Sequence, residues 1–380
     1  MNVPGPTRLS WSFCSRDIMA TFPRVFAMFL PGSGHYMQPH RLRKPTAMPL
    51  PRIAIATGDP AGIGPEIALK AAIDPRVRNL CRPLLVGDPA AVELHARASG
   101  LSPTLHVIEK TSGADWTDGA VNLLDARDGS NAMVRMGTVD AAYGRASLAS
   151  ASRAIKAALA KEVEAVVAAP QTERSIAAAG IAFDGYPSFV ARETGTPVND
   201  VYLMICFDQS RIVHATLHVS VREAVALITR ERIERVIRVT DASLKKLGIA
   251  RPKIFVSGLN PHAGEEGMFG REEIEIIEPA IHKAANEGID ASGPFGADTM
   301  FRKKGSDAFI VMLHDQGHIA AKLQAFNRTA GLSIGSPILF SSVAHGSAHD
   351  IAGKGQADPG AMIEAITRLA RVNTQGRDRG

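Results

Sequence analysis

The stretch Arg52-Ile-Ala-Ile-Ala-Thr57-Gly58-Asp59-Pro60-Ala61-Gly62-Ile63-Gly64-Pro65-Glu66, running on through Ala-rich sequence to Ile73, decides the fold. Residues 52–57 form a short apolar run of strand length. The glycines and prolines of 58–65 end it, and the Ala-rich run from Glu66 has helical composition. Strand, turn and helix recur along the chain. Residues 83–86 read as a second strand and 90–98 as a second helix. Residues 141–161 read as a long Ala-rich helix and 163–169 as a buried strand. Such alternation predicts a mostly parallel sheet with helices on both faces, an α/β fold.

The middle of the chain departs from this rhythm. Two apolar runs, 201–205 and 211–217, flank Phe207-Asp208-Gln209-Ser210 and predict a hairpin. Residues 221–247 read as one helix, 253–257 as a strand, and 271–287 as a helix opened by Glu272 and Glu273, which suit its positive end. Residues 308–313 read as a strand and 360–371 as a closing helix. The Gly-, Asp- and Thr-rich stretch 111–140 reads as irregular. The pattern suggests two α/β/α domains with a cleft between them: residues 51–170 with 330–380, and residues 171–329.

Charge is concentrated at one end. Arg8, Arg16, Arg24, Arg41, Arg43 and Lys44 against Asp17 account for the whole formal charge of +5. A body without net charge does not suit nucleic acid. Residues 1–50 lack periodicity and read as a disordered tail or a mis-assigned start, since the folded pattern begins at Pro51, just after Met48. No apolar run is long enough to span a bilayer. Cys14, Cys81 and Cys206 have neither paired nor metal-type spacing, and a reducing cytoplasm fits them.

Three apolar, strand-like runs end on histidine: RIVHATLH at His218, KIFVSGLNPH at His262 and DAFIVMLH at His314. Ligands of open α/β sheets bind beyond the carboxyl ends of strands. Imidazole is a common metal ligand, so the three can serve one divalent ion or be unrelated polar strand ends. The segment His345-Gly346-Ser347-Ala348-His349-Asp350-Ile351-Ala352-Gly353-Lys354-Gly355 is glycine-rich with one central acid, unlike a core segment. Asp350 there suits the ribose hydroxyls of an adenosine and repels a 2′-phosphate, which favours NAD over NADP.

Five long motifs, in order, carry a resemblance: GDPAGIGPEI at 58–67, GLNPHAGEEGMFGREE at 258–273, GPFGADTMF at 293–301, MLHDQGH at 312–318 and SSVAHGSAHDIAGKGQADPG at 341–360. The chain resembles the 4-hydroxythreonine-4-phosphate dehydrogenase family, which is related in fold to isocitrate and isopropylmalate dehydrogenases. The resemblance implies one divalent metal on His218, His262 and His314, with zinc, cobalt, manganese or nickel all suited. It implies a homodimer with the active site at the interface and His314 arriving from the partner subunit. It places NAD on His345, Gly346, Ser347, Ala348, Asp350, Gly353 and Asp358. Lys322, Asp315 and Asn260 become candidate catalytic residues, and Asp298 a weaker one. His318 and His349 lie near the chemistry in sequence and are expected to have no role in it.

The phosphate-binding pattern of that family is broken. Its Gly-His-Thr reads Gly185-Tyr186-Pro187 here, its lysine is kept as Lys322, and its later Asn and Arg fall on Gly331 and Phe340. Phenylalanine cannot replace an arginine that grips phosphate. The strings at 185–188, 217–222, 312–319 and 332–335 are similar to the terephthalate cis-dihydrodiol dehydrogenase subgroup. Tyr186, Pro187, Gly331 and Phe340, with Lys322, are therefore expected to bind a ring substrate. The expected reaction is metal-dependent, NAD-linked oxidation of a secondary alcohol beside a carboxylate, then decarboxylation to a catechol. The alternative is a 4-hydroxythreonine-4-phosphate or phosphothreonate dehydrogenase in which Arg192, Arg222 or Arg328 replaces the lost contacts. A non-catalytic relative is the third reading.

Overall fold

Among the described residues, twelve strands join in one sheet in the computed structural model. They are β1 (Arg52–Ala56), β2 (Arg82–Gly87), β3 (Leu105–Ile108), β4 (Val121–Asp125), β5 (Ala165–Ala168), β6 (Tyr202–Phe207), β7 (Ser210–His214), β8 (Lys253–Ser257), β9 (Asp290–Phe295), β10 (Ala308–Val311), β11 (Ala330–Ile334) and β12 (Phe340–Val343). The structure describes residues 49–375 except 118, 128, 130–132 and 326–328. The tail expected over 1–50 lies almost wholly outside these residues, as do Cys14 and Arg328.

The sheet order is β3-β4-β2-β1-β5-β12-β11-β6-β7-β10-β8-β9. Pairs from β3 to β12 are parallel, as are those from β7 to β9. The three central pairs, β12–β11, β11–β6 and β6–β7, are antiparallel. The α/β expectation is met, and the hairpin read around Phe207–Ser210 is β6–β7. Strand sense therefore reverses at the centre of the sheet, a topological setting in which α/β proteins place ligands.

Burial follows from sequence. Ile53 and Ile55 face one core cluster while Ala54 and Ala56 face the other, with all four fully buried. A strand covered on both faces needs an unbroken apolar run, and each large side chain so buried contributes about 1.5–3 kcal/mol. Cys81 and Cys206 are buried free thiols, and burial pushes the Cys81 thiol up to about 12.

Two readings are corrected. The helix expected over 221–247 is two helices, Val221–Leu227 and Arg230–Lys246. Thr229 breaks the run because its hydroxyl caps the second helix by accepting from the Arg232 backbone N–H. The stretch 111–140 is not wholly irregular, since Val121–Asp125 forms β4 between β2 and β3. That strand is too short for its alternation to show.

Candidate active site

A cavity of about 560 Å³ opens against the antiparallel centre of the sheet. His218 enters it from the segment after β7. His314, His318 and Lys322 enter from the helix His314–Ala325, which begins where β10 ends. Gly331 of β11 and Ser342 of β12 face each other in register on its floor. His345 and Gly346, which open the glycine-rich loop, complete the wall with Gln171 and Glu173. Residues four apart share one helix face, so 314, 318 and 322 project together.

The strand-end histidines share a hydrogen-bond pattern. His218 Nδ1 lies 3.1 Å from the Asp184 carbonyl, His314 Nδ1 lies 2.7 Å from Asp315, and His262 Nδ1 lies 3.2 Å from Glu265. Each Nδ1 donates to an oxygen that accepts, which leaves Nε2 bare. Metal-binding histidines are oriented in this way. The rings of His218 and His314 are 5.7 Å apart in the same cavity. His262 is outside it and exposed, with its ring against Phe269. No group of three His, Cys, Asp or Glu able to hold an ion occurs among the described residues. The donor chemistry thus fits a metal, but one chain gathers only two of the three candidate histidines. His314 shares its own chain's cavity with His218, whereas the resemblance had it arriving from a partner. His262 is the histidine left out.

The other candidates divide in the same way. Lys322 and Gly331 line the cavity; Asp315 touches it through His314. Asn260 lies outside, its side chain donating to Glu272 and Glu273 at 2.7 and 2.9 Å. Asp298 is exposed and does not reach the cavity. Tyr186 donates to the Ala169 carbonyl at 2.8 Å and packs 5.1 Å from Phe340, which is buried in the core. This aromatic pair and Pro187 are not among the residues lining the cavity, though a Cβ at Gly185 would stand 3.4 Å from the His218 ring.

The glycine-rich loop is braced from an unexpected side. Ile63 donates to the Ser347 carbonyl at 2.9 Å, and Gly62 lies so close that a Cβ there would meet Ser347 at 2.6 Å. Thr172 bonds Ser347 at 2.9 Å and His349 at 3.0 Å, and His349 approaches the buried Asp59. The turn 58–65 is therefore the support of the 345–355 loop. Gly353 is favoured by conformation, having φ +74, while a Cβ there would displace only the flexible end of Met136. Asp350 stays exposed, while Asp358 accepts from the Gly360 N–H where the last helix starts. Ala348 adopts φ 40 within the loop.

Sequence reasoning assigned several residues no part in the site. His318 stacks on His314 at 3.8 Å and pairs with the buried His214. Burial, aided by neighbouring imidazoles, pushes His318 down to about 4 and His214 down to about 3, so both are neutral near pH 7. The four-residue spacing from His314 to His318 to Lys322 was the available signal. Asp59, Thr172 and Glu273 carried no such signal, since their role depends on contacts distant in sequence.

Residues 79–369 match the family model described as pyridoxal phosphate biosynthetic protein PdxA. The chain belongs to the PdxA family. A Symbiobacterium thermophilum protein provisionally named D-threonate 4-phosphate dehydrogenase is 41% identical over 319 residues, covering 83% of this chain and 95% of its own. The crystal structure of a terephthalate 1,2-cis-dihydrodiol dehydrogenase from Burkholderia xenovorans LB400 is also 41% identical, with TM-score 0.61 and coverage of 84% and 97%. That of a 4-hydroxythreonine-4-phosphate dehydrogenase from Burkholderia phymatum is 34% identical, with TM-score 0.74 and coverage of 85% and 98%. The resemblance read from the motifs is thereby met, the subgroup included as a near neighbour. These PdxA-family relatives are all named dehydrogenases, and the chain is an oxidoreductase acting on a CH–OH group.

Proposed function

We propose that this PdxA-family dehydrogenase is NAD-linked and divalent-metal-dependent, and oxidises the secondary alcohol of a small phosphorylated hydroxy acid of the threonate or hydroxythreonine type. The observation that carries this reading is the shared cavity. His218, His314 and Lys322 line the same space as His345 and Gly346. An alcohol bound by the first group would lie near a nicotinamide held by the second, and hydride transfer depends on such proximity. The phosphorylated substrates in relatives' names support this choice over the aromatic dihydrodiol favoured from sequence. Tyr186 and Phe340, which had argued for a ring, pack against each other and are not among the residues lining the cavity.

The chain's own residues then take distinct parts. Lys322 is the cation of the described cavity lining, and its ammonium holds the substrate's phosphate or carboxylate. Asp315 keeps His314 turned with Nε2 inward. Asp350 receives the ribose hydroxyls. A divalent ion on these imidazoles, zinc foremost, would polarise the alcohol oxygen. A product with a carboxylate β to the new ketone then loses CO2.

The third ligand, in this reading, is His262 of the partner subunit. Support comes from exposed apolar side chains near both partial sites: Ile319 (57% exposed) and Leu323 (83%) on the histidine-bearing helix, and Met268 (74%) and Phe269 (48%) beside His262. A second copy would cover them, giving a homodimer with the active site at its interface. Two lobes meeting at β11 and β12, with the nucleotide loop on the first, complete the proposal. No described helix is long and apolar enough to cross a membrane, and the two buried thiols suit a cytoplasmic enzyme.

A second reading keeps the terephthalate-type dihydrodiol, oxidised and decarboxylated to a catechol. It is favoured by the 41% identity to the Burkholderia xenovorans enzyme and by the absence of arginine from the described cavity lining. One assay separates the two: purified protein with NAD or NADP is offered D-threonate 4-phosphate, 4-hydroxythreonine-4-phosphate and a cis-dihydrodiol dicarboxylate, and nicotinamide reduction is followed by absorbance. Reduction of NAD with a phosphorylated acid is expected. Reduction with the dihydrodiol alone establishes the second reading, and none with any of the three contradicts both.

A further inference from the structure

Beneath the helix His314–Ala325 lies a histidine pair outside the three-histidine set. His214, the last residue of β7, is 1% exposed. Its Nε2 is 3.1 Å from His318 Nδ1, which is also 3.3 Å from the His314 carbonyl. The helix comes this close because residue 317 is glycine: a Cβ there would stand 2.4 Å from His214 Nε2.

The proton positions follow from the partners. A backbone carbonyl can only accept, so His318 Nδ1 carries the hydrogen and shares it between the carbonyl and His214 Nε2. The lone pair of His214 Nε2 faces His318, and the second nitrogen of His318, Nε2, is bare. His318 itself lines the cavity, one turn before Lys322. It cannot join His314 on one ion. The two rings are stacked 3.8 Å apart at 11°, so an ion in the plane of one is far outside the plane of the other, whereas imidazole ligands bind in plane at about 2.0–2.1 Å. Its bare nitrogen is an acceptor for something else.

We propose that His318 accepts a hydrogen bond from a substrate hydroxyl adjacent to the one oxidised, and that His214 is a positioning residue that holds His318 in the tautomer able to do so. The site therefore selects vicinal diols, a feature shared by a threonate-type acid and a cis-dihydrodiol. This inference rests on the reading of the cavity as the alcohol site.

The test compares the oxidised diol with its analogue lacking the neighbouring hydroxyl, as a ratio of kcat/KM values, in wild type and in His318→Phe, His214→Met and His214→Gln. Glutamine keeps an acceptor near the position of Nε2 and methionine does not. The ratio should fall about tenfold or more in His318→Phe and His214→Met and return towards wild type in His214→Gln, because the lost bond serves the diol alone. Parallel losses on both substrates, with the ratio unmoved, would overturn the proposal. Nitrogen NMR of histidine-labelled protein gives a readout free of turnover: His318 should carry its proton on Nδ1 in wild type and lose that preference in His214→Met. A protonated Nε2 in the wild type overturns the tautomer whatever the substrate proves to be. Failure of every substrate to react, with the tautomer as stated, rejects the functional reading and the diol contact while leaving the positioning role of His214 in place.

Discussion

His218 and His314 stand on a wall that one chain finishes by itself, whereas His262 stands on a loop held in an unfavourable backbone conformation. The first two have anchored Nδ1 atoms, a helix packed on β6, β7 and β10, and a common cavity. Around His262 the backbone turns left-handed at four non-glycine residues, with φ of 52, 55, 43 and 54 at His262, Ala263, Glu265 and Glu266. Each such residue costs roughly 1–2 kcal/mol. A single buried carboxylate opposes that cost: Glu273 accepts from the Leu259 and Asn260 N–H groups at 2.8 Å each and from the Asn260 side chain at 2.9 Å. Strain persists where surrounding structure over-determines it, and it gathers at functional sites. The difference teaches that one half of the candidate centre is pre-organised while the other is presented outward, as a contribution to another surface would be.

The largest expected effect comes from breaking the outward half. Glu273→Ala leaves three donors without their acceptor, and should cost about 3 kcal/mol in denaturant unfolding and most of the turnover. Unaltered stability would mean the loop is held by something other than this carboxylate. Asp350→Ser probes the pre-organised half. The ratio of kcat/KM for NAD over NADP should fall about tenfold, or about 1.4 kcal/mol, with thermal stability unchanged; a constant ratio removes Asp350 from the ribose.

The smallest effect is on acid stability. His214 and His95 are buried, and burial holds both below the ordinary histidine value, His214 at about 3. Above about pH 6.5 neither group is protonated folded or unfolded, so the stability is complete. Below it the unfolded chain takes up protons that the folded chain refuses, and stability is lost as pH falls towards the folded values. His214 should account for about 1 kcal/mol per pH unit in that window, and His95 should act in the same direction. Melting temperatures between neutral pH and pH 5 check this, and His214→Met should show a shallower slope.

Much of this was legible in the chain. Residues 52–73 announce the strand–turn–helix unit, and the three apolar runs ending on His218, His262 and His314 mark the carboxyl ends of neighbouring strands β7, β8 and β10. Local composition set those features, so local reading found them. What escaped depends on pairing across distance. Gly62 serves Ser347, Thr172 serves His349, and Glu273 serves Asn260, none of which periodicity can show. Tyr186 and Phe340 were read as substrate contacts because family motifs align sequence positions, not cavity walls. Whether a residue lines the cavity or packs behind it depends on the neighbouring helices.

Subunit complementation tests the shared centre most directly. His262→Ala and His314→Ala should each be inactive as purified homodimers. Unfolded together and refolded as mixed dimers, they should regain activity, because one of the two sites then combines an intact His218 and His314 with the intact histidine of the other chain. A mixture of His218→Ala with His314→Ala should regain none, since both losses fall on the same half. Full inactivity of the first mixture, with mixed dimers shown to have formed, would contradict a site built from two copies of this chain.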